Sequence, residues 1–242
     1  MTQSTELELS ATNTDLVEFP PGDLWSDEPP LESDLHREQI ELLIRLLKWQ
    51  WRNRQDFYVS GNLTIYYSPN QLKSEDFRGP DFFVVLGAEN RDRRSWVVWQ
   101  ENGKYPNVII ELLSDSTAAT DRGLKKQIYQ DTFRTPDYFW FHPNTLEFKG
   151  FHLVEGVYQE LSPNAAGHLW SQQLELYLGI RNNKLRFFTP DGTLIESPED
   201  ELQRQVEEER QRVEQERQRA EQAEQELARL RELLRSQGID PN

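Results

Sequence analysis

The 242-residue chain contains no cysteine, which excludes disulfides, cysteine-ligated zinc and thiol nucleophiles together and fits a reducing compartment. No apolar run approaches the roughly 18–20 residues that a membrane-spanning helix needs, so no membrane partner is expected. The opening stretch Met1-Thr2-Gln3-Ser4-Thr5-Glu6 lacks the basic and apolar regions of a signal peptide, and the expected location is cytoplasmic. Positive charge is scarce as well: 27 Lys and Arg stand against 42 Asp and Glu, a net charge of −15. That balance excludes a broad electrostatic grip on phosphate backbones, because such binding depends on cations replacing counterions. Any contact with nucleic acid has to be local, or assisted by a metal or a partner. Hydrophobic residues, at 36%, fall below the usual globular share, and the shortage is concentrated at the two ends.

What is present divides the chain into three parts. Residues 1–33 are polar and acidic, broken by Pro20-Pro21-Gly22 and Pro29-Pro30, and read as a loosely ordered arm. A domain follows over residues 34–195. Ser33 or Asp34 caps its first helix, in which Leu35, Ile40, Leu43, Ile44 and Leu47 recur near helical period up to about Trp51. Strands are then expected at Phe57–Ser60, Leu63–Tyr67, Phe82–Leu86, Trp96–Trp99 and Val108–Leu113, all rich in aromatic and β-branched residues. A helix over residues 119–133, a strand at Tyr138–Phe141 and a hairpin about Glu155-Gly156 complete the pattern. Helix, strands, then strand–helix–strand predicts an α/β fold, a mixed sheet with helices on its faces.

Residues 196–242 are a different material. No Gly or Pro lies between Pro198 and Gly238, and Glu, Gln, Arg, Ala and Leu dominate, which predicts one long helix. Val206, Val213, Ala220, Leu227 and Leu234 recur every seventh residue, while the companion row Leu202, Glu209, Glu216, Ala223 and Leu230 is polar at its middle. A homo-oligomer through a coiled coil is expected, against the alternative of a solvated single helix held by Glu–Arg pairs.

Three residues suggest chemistry. Glu111 interrupts an apolar run, and an unpaired carboxylate in such a strand is costly, so a metal or a cationic side chain has to answer it. Asp81, after Gly79-Pro80, stands at the mouth of a strand, where turn chemistry alone would also place an Asp. Lys125 lies on the following helix, where pairing with Asp121 is the plainer explanation. Together, two acids on neighbouring strands can hold one or two hard divalent cations, and a nearby lysine can orient the water or balance charge in a phosphoryl transition state.

Gly79-Pro80-Asp81, Ile110 through Ser114 with Ser116-Thr117, Asp121 through Lys125 to Tyr129, and Tyr138 through Pro143 resemble, in order, the Uma2 (DUF820) family of restriction-endonuclease-like proteins, abundant in cyanobacteria. The resemblance spans roughly residues 34 to 190. It implies the PD-(D/E)xK nuclease fold, Mg²⁺ or Mn²⁺ as cofactor, and nucleic acid, DNA first, as substrate. Asp81 and Glu111 match the two metal-binding acids. The general superfamily pattern puts its lysine two residues after the second acid, where this chain has Leu113; the family pattern puts it on the next helix, which Lys125 matches. Lys126 is the fallback, facing about 100° away. Glu38 or Glu41, on the first helix, is a candidate additional ligand, and His36 resembles a family histidine there. The alternative expectation is a catalytically inactive nuclease-fold scaffold or binding protein that acts through its helical tail.

Overall fold

The computed structural model describes residues 33–68, 79–114 and 121–236. The expected N-terminal arm, apart from Ser33, and the closing Gly238–Pro241 lie outside the described residues. The chain divides into two compact units, residues 1–193 and 194–242.

Helix α1 (Asp34–Gln50) opens on Ser33, whose hydroxyl accepts from the His36 backbone N–H at 3.3 Å and meets His36 Nδ1 at 2.8 Å. Its buried face carries Ile40, Leu43, Leu46 and Leu47. Leu35, expected on that face, is exposed because it lies in the first turn, ahead of the packed stretch. The main sheet takes the order β1 (Phe57–Ser60), β3 (Phe82–Leu86), β5 (Val108–Leu112), β6 (Asp137–Phe141), β7 (Phe148–Val154) and β8 (Val157–Glu160). Every neighbouring pair is antiparallel except β5–β6, which is parallel. A parallel pair requires a crossover, and helix α2, described over residues 121–133, supplies it. The sheet is mixed and flanked by helices, as the order of elements predicts.

Two expected strands are shorter. Of Leu63–Tyr67 only β2 (Ile65–Tyr66) is strand, and it pairs in parallel with β4 (Trp96–Val97) in a separate ribbon. The chain leaves β4 through a 3₁₀ turn at Val98–Gln100, because Trp96 Nε1 bonds the Lys104 carbonyl at 2.8 Å and Gly103 N bonds Val98 O at 2.9 Å. Those bonds fold 98–104 back on itself, and Asn102 and Gly103 take the positive φ that the reversal demands.

A three-stranded antiparallel sheet, β9 (Leu169–Ser171), β10 (Leu176–Arg181) and β11 (Lys184–Phe188), was not foreseen. Its readable signal was Asn182-Asn183 between two alternating runs: both residues have positive φ, 52° and 59°, as a two-residue hairpin turn requires. The Gln39 amide ties α1 to this sheet by pairing with both backbone groups of Leu185 at 3.0 Å. Asp137, fully buried at the start of β6, ties it to the main sheet. Its carboxylate meets His152 Nδ1 at 2.7 Å and accepts from Ser171 Oγ at 2.6 Å and Gln173 N at 2.9 Å.

The second unit is dominated by α3 (Pro198–Ser236), a 39-residue helix with no buried residue. Ser197 and Asp200 cap it: Asp200 N donates to Ser197 Oγ at 3.1 Å, and Ser197 N donates to the Asp200 carboxylate at 3.2 Å. No helix among the described residues is long and apolar enough to cross a membrane.

Candidate active site

Strand alternation decides which side chains of β5 share a face. Val108, Ile110 and Leu112 point one way; Ile109 and Glu111, followed by Leu113, point the other, into an aromatic cluster that includes Tyr58, Phe83, Tyr129, Phe133 and Tyr138. Glu111 is therefore a carboxylate at 0% exposure in a mainly apolar layer. Burial pushes its pKa up to about 7; the Lys125 charge opposes the rise, the neighbouring Asp81 adds to it, and the Tyr129 hydroxyl favours the ionised form.

Asp81 reaches Glu111 through sheet register. Phe82 pairs with Ile110 across β3–β5, so one step further along the ladder sets Asp81 opposite Glu111. The backbone bears this out: Asp81 N–H lies 3.4 Å from Glu111 Oε2, and Leu112 N–H donates to Asp81 Oδ2 at 2.7 Å. Two glycines make the seat. A Cβ on Gly79 would stand 1.9 Å from the Leu63 carbonyl oxygen, and one on Gly61 would stand 2.4 Å from the carbonyl oxygen of Asp81 itself. Gly79→Ala is expected to cost roughly 1–3 kcal/mol, the usual range for overpacking, read as a lower thermal midpoint.

Helix α2 brings the cation. It opens with a π-helical turn (Asp121–Lys125), tightens to α over Lys126–Ile128, and widens again at Tyr129–Phe133. π-helical turns recur at functional sites because they re-aim side chains. Lys125 and Tyr129 project onto the same carboxylate: Lys125 Nζ donates to Glu111 Oε2 at 3.1 Å, and the Tyr129 hydroxyl to Oε1 at 2.5 Å. Lys125 is 12% exposed and Tyr129 is fully buried, its ring against Phe133 and Tyr138. Tyr129→Phe removes a bond to a buried acid and is expected to cost roughly 1.5–3 kcal/mol in chemical denaturation, with the ring packing kept.

The structure thus brings Asp81, Glu111 and Lys125 together. Lys126 goes elsewhere, with Nζ 3.5 Å from the ring centroid of Phe151 and 5.5 Å from that of Trp140, where burial lowers its pKa. Glu38 is engaged by Lys184 at 3.5 Å, Glu41 is exposed, and His36 serves the α1 cap. Leu113 is fully buried in the aromatic layer, so the position that holds a lysine in the general pattern is core here. Sequence reasoning missed the role of Tyr129; its spacing of four from Lys125 was the available signal, since residues four apart share a helix face.

Among the described residues no group of three or more His, Cys, Asp or Glu side chains gathers as a metal cage. Asp81 and Glu111 nevertheless fit a hard cation. Both offer oxygen donors, and Mg²⁺ is commonly held by one or two carboxylates with waters completing its octahedron.

The model of the Uma2 family, described as "Putative restriction endonuclease", matches residues 3–181. The chain belongs to the Uma2 family. The match begins within the N-terminal segment, ahead of residue 34, where the motif resemblance starts. Among solved structures, the Uma2 chain is similar to one described as a putative nuclease belonging to DUF820 from Anabaena variabilis ATCC 29413. The two share 13% identity with a TM-score of 0.46, over 64% of this chain and 83% of that one. No curated protein matches the chain.

Proposed function

We propose that this Uma2 chain is a metal-dependent endonuclease that hydrolyses nucleic-acid phosphodiester bonds, with DNA as the first substrate to try. The observation that carries the reading is the fully buried Glu111 carboxylate, set between Asp81 and Lys125 and held by the Tyr129 hydroxyl in an otherwise apolar layer. Asp81 and Glu111 would hold Mg²⁺ or Mn²⁺. When bound there, the ion supplies an activated water and neutralises charge building on the phosphoryl oxygens.

The chain's own groups do the rest. Tyr129 fixes one oxygen of Glu111, which leaves the Oε2 side, where Lys125 lies, to face the chemistry. Lys125 orients the attacking water and offsets negative charge in the transition state. The water oxygen forms a bond to phosphorus as the bond to the 3′ oxygen breaks, leaving a 5′-phosphate and a 3′-hydroxyl. With a net charge of −15 the chain offers little general attraction for DNA, and a cation held by Asp81 and Glu111 would add local positive charge.

The test is a cleavage assay on the full chain with Mg²⁺ or Mn²⁺, against double-stranded DNA, single-stranded DNA and RNA. Cutting by the wild type that falls to background in Glu111→Gln supports the proposal. Equal cutting by both, or none by either, sinks it. The second reading, a nuclease-fold scaffold working through its tail, is favoured by the apolar row exposed along α3.

A further inference from the structure

We infer that α3 pairs with α3 of a second copy of this chain, antiparallel, about a two-fold axis beside Gln218. This does not depend on the nuclease reading. Leu202, Val206, Val213, Leu227, Leu230 and Leu234 are all exposed, between 37% and 62%. An apolar seam at heptad spacing on an otherwise Glu–Arg–Gln helix has no physical reason to face water along about 50 Å. A partner helix is the occupant it fits, and the seam itself specifies which helix and which direction.

A parallel, in-register pair would set Glu209 and Glu216 against their own copies in two seam layers. It would also set Arg212 beside the partner's Arg217. The antiparallel pair removes both seam clashes. Centred on Gln218, it packs Leu234 on the partner's Leu202, Val206 on the partner's Leu230 and Val213 on the partner's Ala223. Glu216 then meets the partner's Ala220, and Glu209 meets the partner's Leu227, so no seam layer holds two like charges.

The flanking charges agree with this register. Arg210 falls beside the partner's Glu224, and Arg212 beside the partner's Glu226, giving four ion pairs by symmetry. Among the described residues, none of Arg210, Glu224 and Glu226 forms an ion pair within its own helix, and Arg212 makes only a loose 3.6 Å pair with Glu209. The like charges of this register are Arg217 and Arg219, which meet their own copies at the axis. There Arg217 is already held by Glu214 at 3.0 Å and Glu221 at 3.8 Å, and the Glu216 of both helices lies between them. A two-fold pairing of identical helices is self-complementary and closes at two copies.

The absence of cysteine makes the test unambiguous. Light scattering on the full chain is expected to give twice the 28.6 kDa of one copy. Val206→Cys and Leu230→Cys proteins, mixed and oxidised, are expected to give the mixed disulfide and little of either symmetric one. Arg210→Glu with Arg212→Glu, or Glu224→Arg with Glu226→Arg, is expected to weaken the dimer at least about tenfold, and combining all four is expected to restore it. A single-copy mass at every concentration overturns the inference. So do symmetric disulfides at 206 and 230, or a fourfold variant no tighter than the double ones.

Discussion

Lys125→Met is expected to cost about 2–3 kcal/mol of stability at pH 8.5 and only about 1 kcal/mol at pH 5.5, measured by urea unfolding with EDTA present. Lys125 donates to a carboxylate at 0% exposure, so deleting the ammonium leaves a buried charge without its counter-ion. The pH dependence follows from the shift on Glu111. Its folded pKa, about 7, lies above the ordinary 4.5, so the folded chain keeps this proton after the unfolded chain has released it. Stability from that group is present in full below about pH 4.5 and is lost as pH rises to about 7, by roughly 3 kcal/mol in the wild type. Lys125 limits that loss by drawing the pKa down. Without it, the penalty deepens wherever Glu111 has to ionise and nearly vanishes where the acid is protonated. Equal losses at the two pH values would show that Lys125 acts by packing and not by charge.

Glu111→Gln and Asp81→Asn are each expected to lower Mg²⁺-dependent cleavage by at least about 100-fold while the far-ultraviolet circular dichroism stays unchanged. An amide keeps the shape of the side chain and removes the anionic oxygen that a hard cation prefers. In the wild type, cleavage should rise with pH through about 7, as Glu111 loses the proton that would compete with a cation for its oxygens. The same side chain would then face opposite demands: protonated it suits the fold, and ionised it would suit a bound cation. A pH–rate profile flat across 6 to 8 would separate Glu111 from the reaction.

Much of this arrangement was legible from residues alone. Glu111 announced itself by breaking an apolar strand, and the order of helix, strands and crossover conveyed the mixed sheet. Asp81 and Lys125 were harder, since a Pro-Asp turn and a helical lysine are ordinary in isolation. What singled them out was family resemblance, and what brings them together is register across β3–β5 and the pitch of α2. Tyr129 stayed hidden because its hydroxyl looks like any core tyrosine until the helix is laid over the sheet. β9–β11 carry a fainter signal: β10 and β11 lack the continuous apolar runs of β3 and β5, and only the Asn182-Asn183 turn between them marks the hairpin. The ion pair that occupies Glu38 is a contact between elements more than a hundred residues apart, which no local pattern encodes.

The hydrogen bonds around the two acids bear on how such a site decays. Each carboxylate is steadied by main chain belonging to the other's neighbourhood: the Asp81 amide faces Glu111, and the Leu112 amide holds Asp81. The two carboxylates share one hydrogen-bonded patch, so paired substitutions are expected to be far from additive. A lineage that no longer needs the pair has nothing left to preserve one acid after the other has drifted. In diverged copies the two should vanish together, leaving a layer of apolar side chains where the charge once stood.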